Sequence, residues 1–391
     1  MYYIGVTPID RMHTPQGVYL PILFKKTFRQ KYLNIDLDDC PVGVKFSDFI
    51  FEKIDKIKEE ITIFLLFPPL LEFEYDFYTT LADKKIKIGA YCSDGTQYFN
   101  DWFRYLGLAL DFFILSEPAE INEFERYLFK AFWHPFINLT STPAIYDTIK
   151  NRKNYAIHLG SMKYRSERSK YELNKFSNVG LKFYGPDTGM EFLLAEDVPK
   201  KLIQYKIGVV FTQSGNRTIR AYDEMLDYSS QLKGKTWDYL FSGCVILTQE
   251  SPFRSKYLPD DCCIIFKNKH DLFEKLQFYS QNIEQLESIE SNAKILSKFY
   301  SEGFYNDFEF FLNNISIIDK RNKDKIKIYK DKIYPAIFTV GLNNLFKYSK
   351  NRNINILNTI GLINILFGIC CTFNFQRIRL KSYLLKFFKY K

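Results

Sequence analysis

The stretch 233–251, KGKTWDYLFSGCVILTQES, gathers Lys233, Lys235 and Asp238 within six residues and follows them with Gly243 and an apolar run. Ammonium groups neutralise phosphate, and a carboxylate accepts hydrogen bonds from ribose hydroxyls. The same residue types also make an ordinary helix start, with solvated lysines and an acid in the first turn that favours the helix dipole. In HLGSMKYRSERSKYELNKF (158–176), Gly160 and Ser161 form a tight turn where an apolar strand ends, and a basic helical segment follows. Free N–H groups at a helix start attract anions, and Arg165 or Arg168 adds charge-assisted bonds to a diphosphate. A Gly-Ser turn ahead of a solvated basic helix reads the same way. FYGPDTG (183–189) places Gly185 at another strand end, either as a plain turn or as a place where backbone approaches a ligand. As proton acceptor the best-placed residue is Asp94 in AYCSDGTQYF, just past a strand end, with His134 in FWHPF and His13 in RMHTPQG as alternatives.

The elements that must position these residues alternate along 1–315. Candidate strands are YYIGVT (2–7), ITIFLLF (61–67), KIKIGAYC (85–92) and DFFILSE (111–117), then YAIHLGS (155–161), VGLKFYG (179–185), IGVVFT (207–212), CVILTQ (244–249) and CCIIFK (262–267). Segments of helical periodicity lie between them, among them 165–177, 196–206 and 269–298. Short apolar strands separated by helices predict parallel sheets covered on both faces. The polar, turn-rich stretch 137–153 separates the two strand sets. The expectation is an α/β chain of two Rossmann-like domains, 1–150 and 151–319, followed by a tail over 320–391. Ligands of such sheets bind beyond the carboxyl ends of the strands, so the cleft between the domains is the expected site.

With 391 residues, 46% hydrophobic and 25% charged, the chain has the profile of a folded protein with room for two domains. Its net charge of +9 is uneven: residues 320–391 hold sixteen Lys or Arg against two acidic residues, which leaves the body mildly acidic. Within that tail, 353–376 carries no charge, and a basic aromatic run, RIRLKSYLLKFFKYK, follows it. Asn residues interrupt the uncharged block, so a helix pair held on an anionic membrane surface fits it better than a span. A helix packed back on the body is the alternative. The uncharged block also fits poorly to a groove that tracks a nucleic-acid backbone, and no nucleic acid is expected. Seven cysteines without CxxC spacing and four histidines away from them argue against zinc and for reduced thiols. The first residues lack a basic segment followed by an apolar one, so no signal peptide and a cytoplasmic location are expected.

Taken in order, the Gly-Ser turn with its following Arg and helix, the strand ending Tyr-Gly, and KGKTWDYLFSGCVILT followed by YLPDDCCIIFKNKHDLFEKLQFYSQN resemble the nucleotide-sugar half of GT-B glycosyltransferases. The likeness is nearest to the group-1-type branch related to spore maturation proteins. It covers 155–315, and the N-terminal half agrees in architecture alone. It implies two Rossmann-like domains facing across a cleft, and transfer of a sugar from a nucleotide-sugar donor to a glycan or lipid-linked acceptor. The basic tail on an acidic body suits an acceptor presented at the cytosolic membrane face, and surface polysaccharide or glycoconjugate synthesis is the expected setting. No tightly bound metal or cofactor is implied, the nucleotide sugar being a co-substrate. Asp238 occupies the place of the family's ribose-binding Glu, five residues before Gly243. Lys235 stands near its basic residue, and Arg168 matches the Arg after the turn. With Gly160, Ser161, Gly185 and Lys233 these make the implied donor site, and Asp94 is the acceptor-side base that an inverting enzyme needs. The chain departs from the pattern in having Asp for Glu, Lys for Arg, Trp237 for Phe, and Ser230 where many retaining enzymes carry a second Glu. Those departures leave the stereochemistry open and admit a non-catalytic interaction protein on the same scaffold. A fucosyltransferase-like enzyme is the other alternative, because a basic residue, one spacer, Trp and then Gly recur there too.

Overall fold

The computed structural model describes residues 1–7, 15–66, 73, 75–92, 103, 106–139, 144–160, 173–185, 193, 197–212, 231–232 and 234–317. Two parallel sheets organise them. The first contains β1 (Tyr2–Thr7), β2 (Tyr32–Asp36), β3 (Ile61–Leu66), β4 (Lys87–Cys92), β5 (Phe112–Leu115) and β6 (Ala131–Phe132), in the order β2-β1-β3-β4-β5-β6. The second contains β7 (Asn154–Leu159), β8 (Leu181–Tyr184), β9 (Tyr205–Val210), β10 (Val245–Thr248) and β11 (Cys263–Ile265), in the order β11-β10-β9-β7-β8. Helices join them: α1 (Pro15–Phe28), α2 (Phe46–Ile54), α3 (Tyr75–Asp83) and α4 (Ile121–Arg126) in the first unit. The second holds α5 (Leu173–Ser177), α6 (Val198–Leu202), α7 (Gly234–Phe241), α8 (Arg254–Tyr257), α9 (Lys269–Gln281) and α10 (Ile283–Asn313). The chain is therefore an α/β protein of two Rossmann-like domains, as expected.

Each expected strand is present, trimmed or shifted by a residue or two. Every residue of β3 and of β10 is buried, as it must be when helices cover both faces of a sheet. Two strands were not anticipated. In β2, at the edge, only Tyr32 and Ile35 are buried, with Leu33, Asn34 and Asp36 half-buried, and Tyr32 donates through its hydroxyl to Asn34 Oδ1 at 3.2 Å. Strand β6 is two residues long, too short to leave a pattern.

The helical segment expected over 269–298 is two helices. They break at Asn282, whose φ of −126° and ψ of 58° lie outside helical values. The second, α10, runs on to Asn313 and leaves the sheet that precedes it. Its Phe304, Phe308 and Leu312 enter the core of the first sheet, where the Phe308 ring lies 5.9 Å from that of Phe28 and 5.7 Å from that of Phe64. Each buried Phe contributes about 2–3 kcal/mol of apolar transfer, so this return clamps the two units together. The turn-rich connection between the sheets is fixed by Arg152, which donates to Tyr205 O at 2.8 Å and to Ser242 O at 2.9 Å. Buried Glu290 of α10 accepts from the Ile149 N–H at 3.1 Å. The tail 320–391 lies outside the described residues, and among those described no helix is long and apolar enough to cross a membrane.

Candidate functional site

In the second sheet the chain places β8 on one side of β7 and then returns to place β9 on the other. Open parallel sheets bind ligands beyond the carboxyl ends of their strands at such a switch point, because diverging connections leave a crevice there. The exit of β7, Leu159 and Gly160, lies at this crevice. Helix α7 crosses from β9 to β10, so its N-terminal end arrives at the same edge. Two of its side chains, one helical turn apart, hold the N–H and the C=O of a single residue of that exit, Leu159. The Tyr239 hydroxyl accepts the Leu159 N–H at 2.9 Å, and Lys235 Nζ donates to Leu159 O. The Tyr239 ring lies so close to β9 that a Cβ on Gly208 would sit 2.3 Å from its Cγ. Gly160 turns with φ +117°, a conformation open to glycine, and a Cβ there would lie 2.9 Å from Lys235 Nζ. The turn and the lysine are fitted to each other, and the fit fixes a positive charge beside the switch point.

Of the residues expected at the site, the structure brings Gly160 and Lys235 into contact and places Gly185, buried, directly after β8. Asp238 sits on the same helix as Lys235 but is enclosed, with 2% of its surface exposed. Its neighbour Trp237 is fully buried and packs its ring 5.6 Å from that of Trp133, in the seam between the two sheets. Asp94, Ser161, Arg168 and Lys233 lie outside the described residues, as do His13 and Arg165. His134 is described and buried. Its Nδ1 accepts the Phe136 N–H at 3.1 Å, which caps the turn that follows. Desolvation lowers its pKa to about 3, and Asp307, 4.0 Å away and largely exposed, does not offset this. His134 is thus a neutral capping group with the geometry of a core histidine.

Solved glycosyltransferases are structural neighbours of this chain. An α1,3-fucosyltransferase matches over 82% of this chain and 92% of its own, at 11% identity and a TM-score of 0.43. The Anabaena protein HepE in complex with UDP matches over 79% and 100%, at 9% identity and a TM-score of 0.48. T4 phage BGT, in complex with UDP and Mn2+, matches over 80% and 99%, at 13% identity and a TM-score of 0.45. No family model matches the sequence, and no curated protein matches it.

Sequence reasoning missed two further features of this edge. Glu117 closes β5 of the first sheet and is 4% exposed, and its Oε1 accepts the N–H of Leu232 at 3.0 Å, just ahead of α7. An acid directly past a strand end is the signal that singled out Asp94, and it marks Glu117 equally well. The second is Arg254, buried beyond β10. It bonds both oxygens of Glu250, at 2.9 and 3.0 Å, and the Asp260 carboxylate at 2.7 Å. Burial opposes its charge, but the bonds from Glu250 and Asp260 outweigh that and raise its pKa.

Proposed function

We propose that this chain is a glycosyltransferase that moves a sugar from a nucleotide-sugar donor to a glycan or lipid-linked acceptor. One observation carries the reading. The Lys235 ammonium and the Gly160 turn meet at the switch point of the second sheet, where α7 begins and the carboxyl edge of the first sheet arrives. Transfer releases a nucleoside diphosphate, on which negative charge grows as the glycosidic bond breaks. A pre-positioned cation lowers that barrier because it needs no reorganisation in the reaction step. Lys235 supplies such a cation, with Lys233 and Arg168 assigned beside it by the resemblance and no metal required. Gly160, Ser161 and Gly185 let backbone approach the phosphates and Asp94 takes the acceptor proton, while the ribose role of Asp238, assigned by the resemblance, requires its enclosed carboxylate to become accessible to the donor.

The acceptor is assigned to a membrane surface at its cytosolic face, because the sixteen basic residues of 320–391 favour anionic lipid. Surface polysaccharide or glycoconjugate synthesis fits such an acceptor. A fucosyl donor is the variant reading, supported by Lys235, Trp237 and Gly243 in their spacing. A second reading, nucleotide binding without transfer, is favoured by the enclosure of Asp238. Calorimetry with UDP and GDP, together with product analysis on the matching nucleotide sugars, separates these. An enzyme binds one nucleotide and turns over its sugar; a scaffold binds without turnover. Lys235→Met weakens the binding at least tenfold on this account, and an unchanged affinity contradicts it.

A further inference from the structure

The two amides that lead into α7 are held by different halves of the molecule. The Gln231 N–H is accepted at 2.8 Å by Thr212 O, two residues past the end of β9 of the second sheet. The next N–H, of Leu232, is accepted at 3.0 Å by Glu117 Oε1, at the end of β5 of the first sheet. Donor and carboxylate are both buried and stand 115 residues apart in sequence. Three residues later comes Lys235, bonded to the β7 exit. A buried carboxylate is costly to desolvate, and it persists only where it receives donors in good geometry.

We infer that Glu117 is a positioning residue that ties the head of α7 to the first domain, so that the donor edge keeps its shape only while the two halves stay in register. The inference rests on the donor-site reading for its functional meaning. Glu117 acts through the Leu232 amide, which orients the first turn of α7 and with it the Lys235 ammonium. Nucleotide bound at that edge is thereby sensed at the end of β5, on the side assigned to the acceptor.

The test compares wild type with Glu117→Ala and Glu117→Gln by amide hydrogen exchange over 231–236, with β10 as internal reference, and by titration with UDP and GDP. Gln keeps an acceptor oxygen in place and Ala removes it. Exchange over 231–236 is expected to rise at least tenfold in the Ala variant and to stay within threefold of wild type in the Gln variant, with β10 unchanged in both. Nucleotide affinity follows the same order, about tenfold weaker for Ala and restored by Gln. A solely structural role would not show that rescue of affinity at unchanged β10 protection. Unchanged exchange in the Ala variant, equal acceleration in both, or acceleration that includes β10 overturns the proposal. If the Ala variant does not fold, Glu117→Asp replaces it, since one fewer methylene withdraws the acceptor from Leu232. If wild type binds neither nucleotide, the donor-site reading fails, while the exchange comparison still decides the tie itself.

Discussion

Replacing Gly160 by Ala tests whether the turn after β7 is built around Lys235. The φ of +117° is one that an L-residue adopts at a cost of ~1–3 kcal/mol. The new Cβ would also lie 2.9 Å from Lys235 Nζ, closer than carbon and nitrogen pack. The ammonium is the end of a flexible chain and can withdraw, but withdrawal breaks its bond to Leu159 O. That bond is part-buried and solvent-screened, so its loss costs ~1 kcal/mol. The expected destabilisation is therefore ~2–4 kcal/mol, or a fall in Tm of roughly 5–15 °C for a domain of this size. Thermal denaturation followed by circular dichroism measures it. A cycle with Lys235→Met separates the two contributions. The double variant loses the Leu159 bond only once, so it falls short of the sum of the single effects by ~1 kcal/mol. A Gly160→Ala protein within ~0.5 kcal/mol of wild type, or strict additivity in the cycle, refutes the fitted turn.

Two further outcomes follow from buried charge. His134, with its pKa lowered to about 3, stays neutral in the native state at pH values where the unfolded chain binds a proton. Its neutral form therefore supports the fold fully above pH ~6.5, and that support is lost as pH falls toward 3, by up to ~1.4 kcal/mol per pH unit. Urea melts of wild type and His134→Gln from pH 7 to 4 are expected to diverge on acidification, with the Gln variant flatter; parallel curves contradict the assignment. Arg254→Met removes a buried guanidinium, but Glu250 and Asp260 are 61% and 80% exposed and regain water. The loss is accordingly ~1–3 kcal/mol by equilibrium unfolding rather than the larger penalty of a stranded buried charge, and a loss above ~4 kcal/mol contradicts that reasoning.

The strands were legible because parallel strands buried on both faces read as unbroken apolar runs, as ITIFLL and VILT do. Strand β2 escaped because an edge position tolerates Asn34 and Asp36 between its apolar residues. The reach of α10 was hidden for another reason. Its Phe304, Phe308 and Leu312 show helical spacing, but nothing in that spacing says that they serve the first sheet. The charged head of α7 stood out from residue types alone. What it grips did not, since Lys235 and Leu159 are 76 residues apart and their meeting depends on how α7 lies across β9 and β7. Asp238 shows the opposite limit: its position in the pattern suggested an open ligand, while the packing of Trp237 in the seam carries the same helix turn into the interior.

On the proposed function, the edge formed by Gly160 and Lys235 receives a nucleoside diphosphate. Isothermal titration calorimetry of the full chain with UDP and with GDP tests it most directly. Saturable binding of at least one of them is expected, weakened at least tenfold by Lys235→Met, with a matching thermal stabilisation of about 2.7 kcal/mol at a hundredfold excess over Kd. Absence of binding heat and of any thermal shift with both nucleotides at millimolar concentration would contradict it.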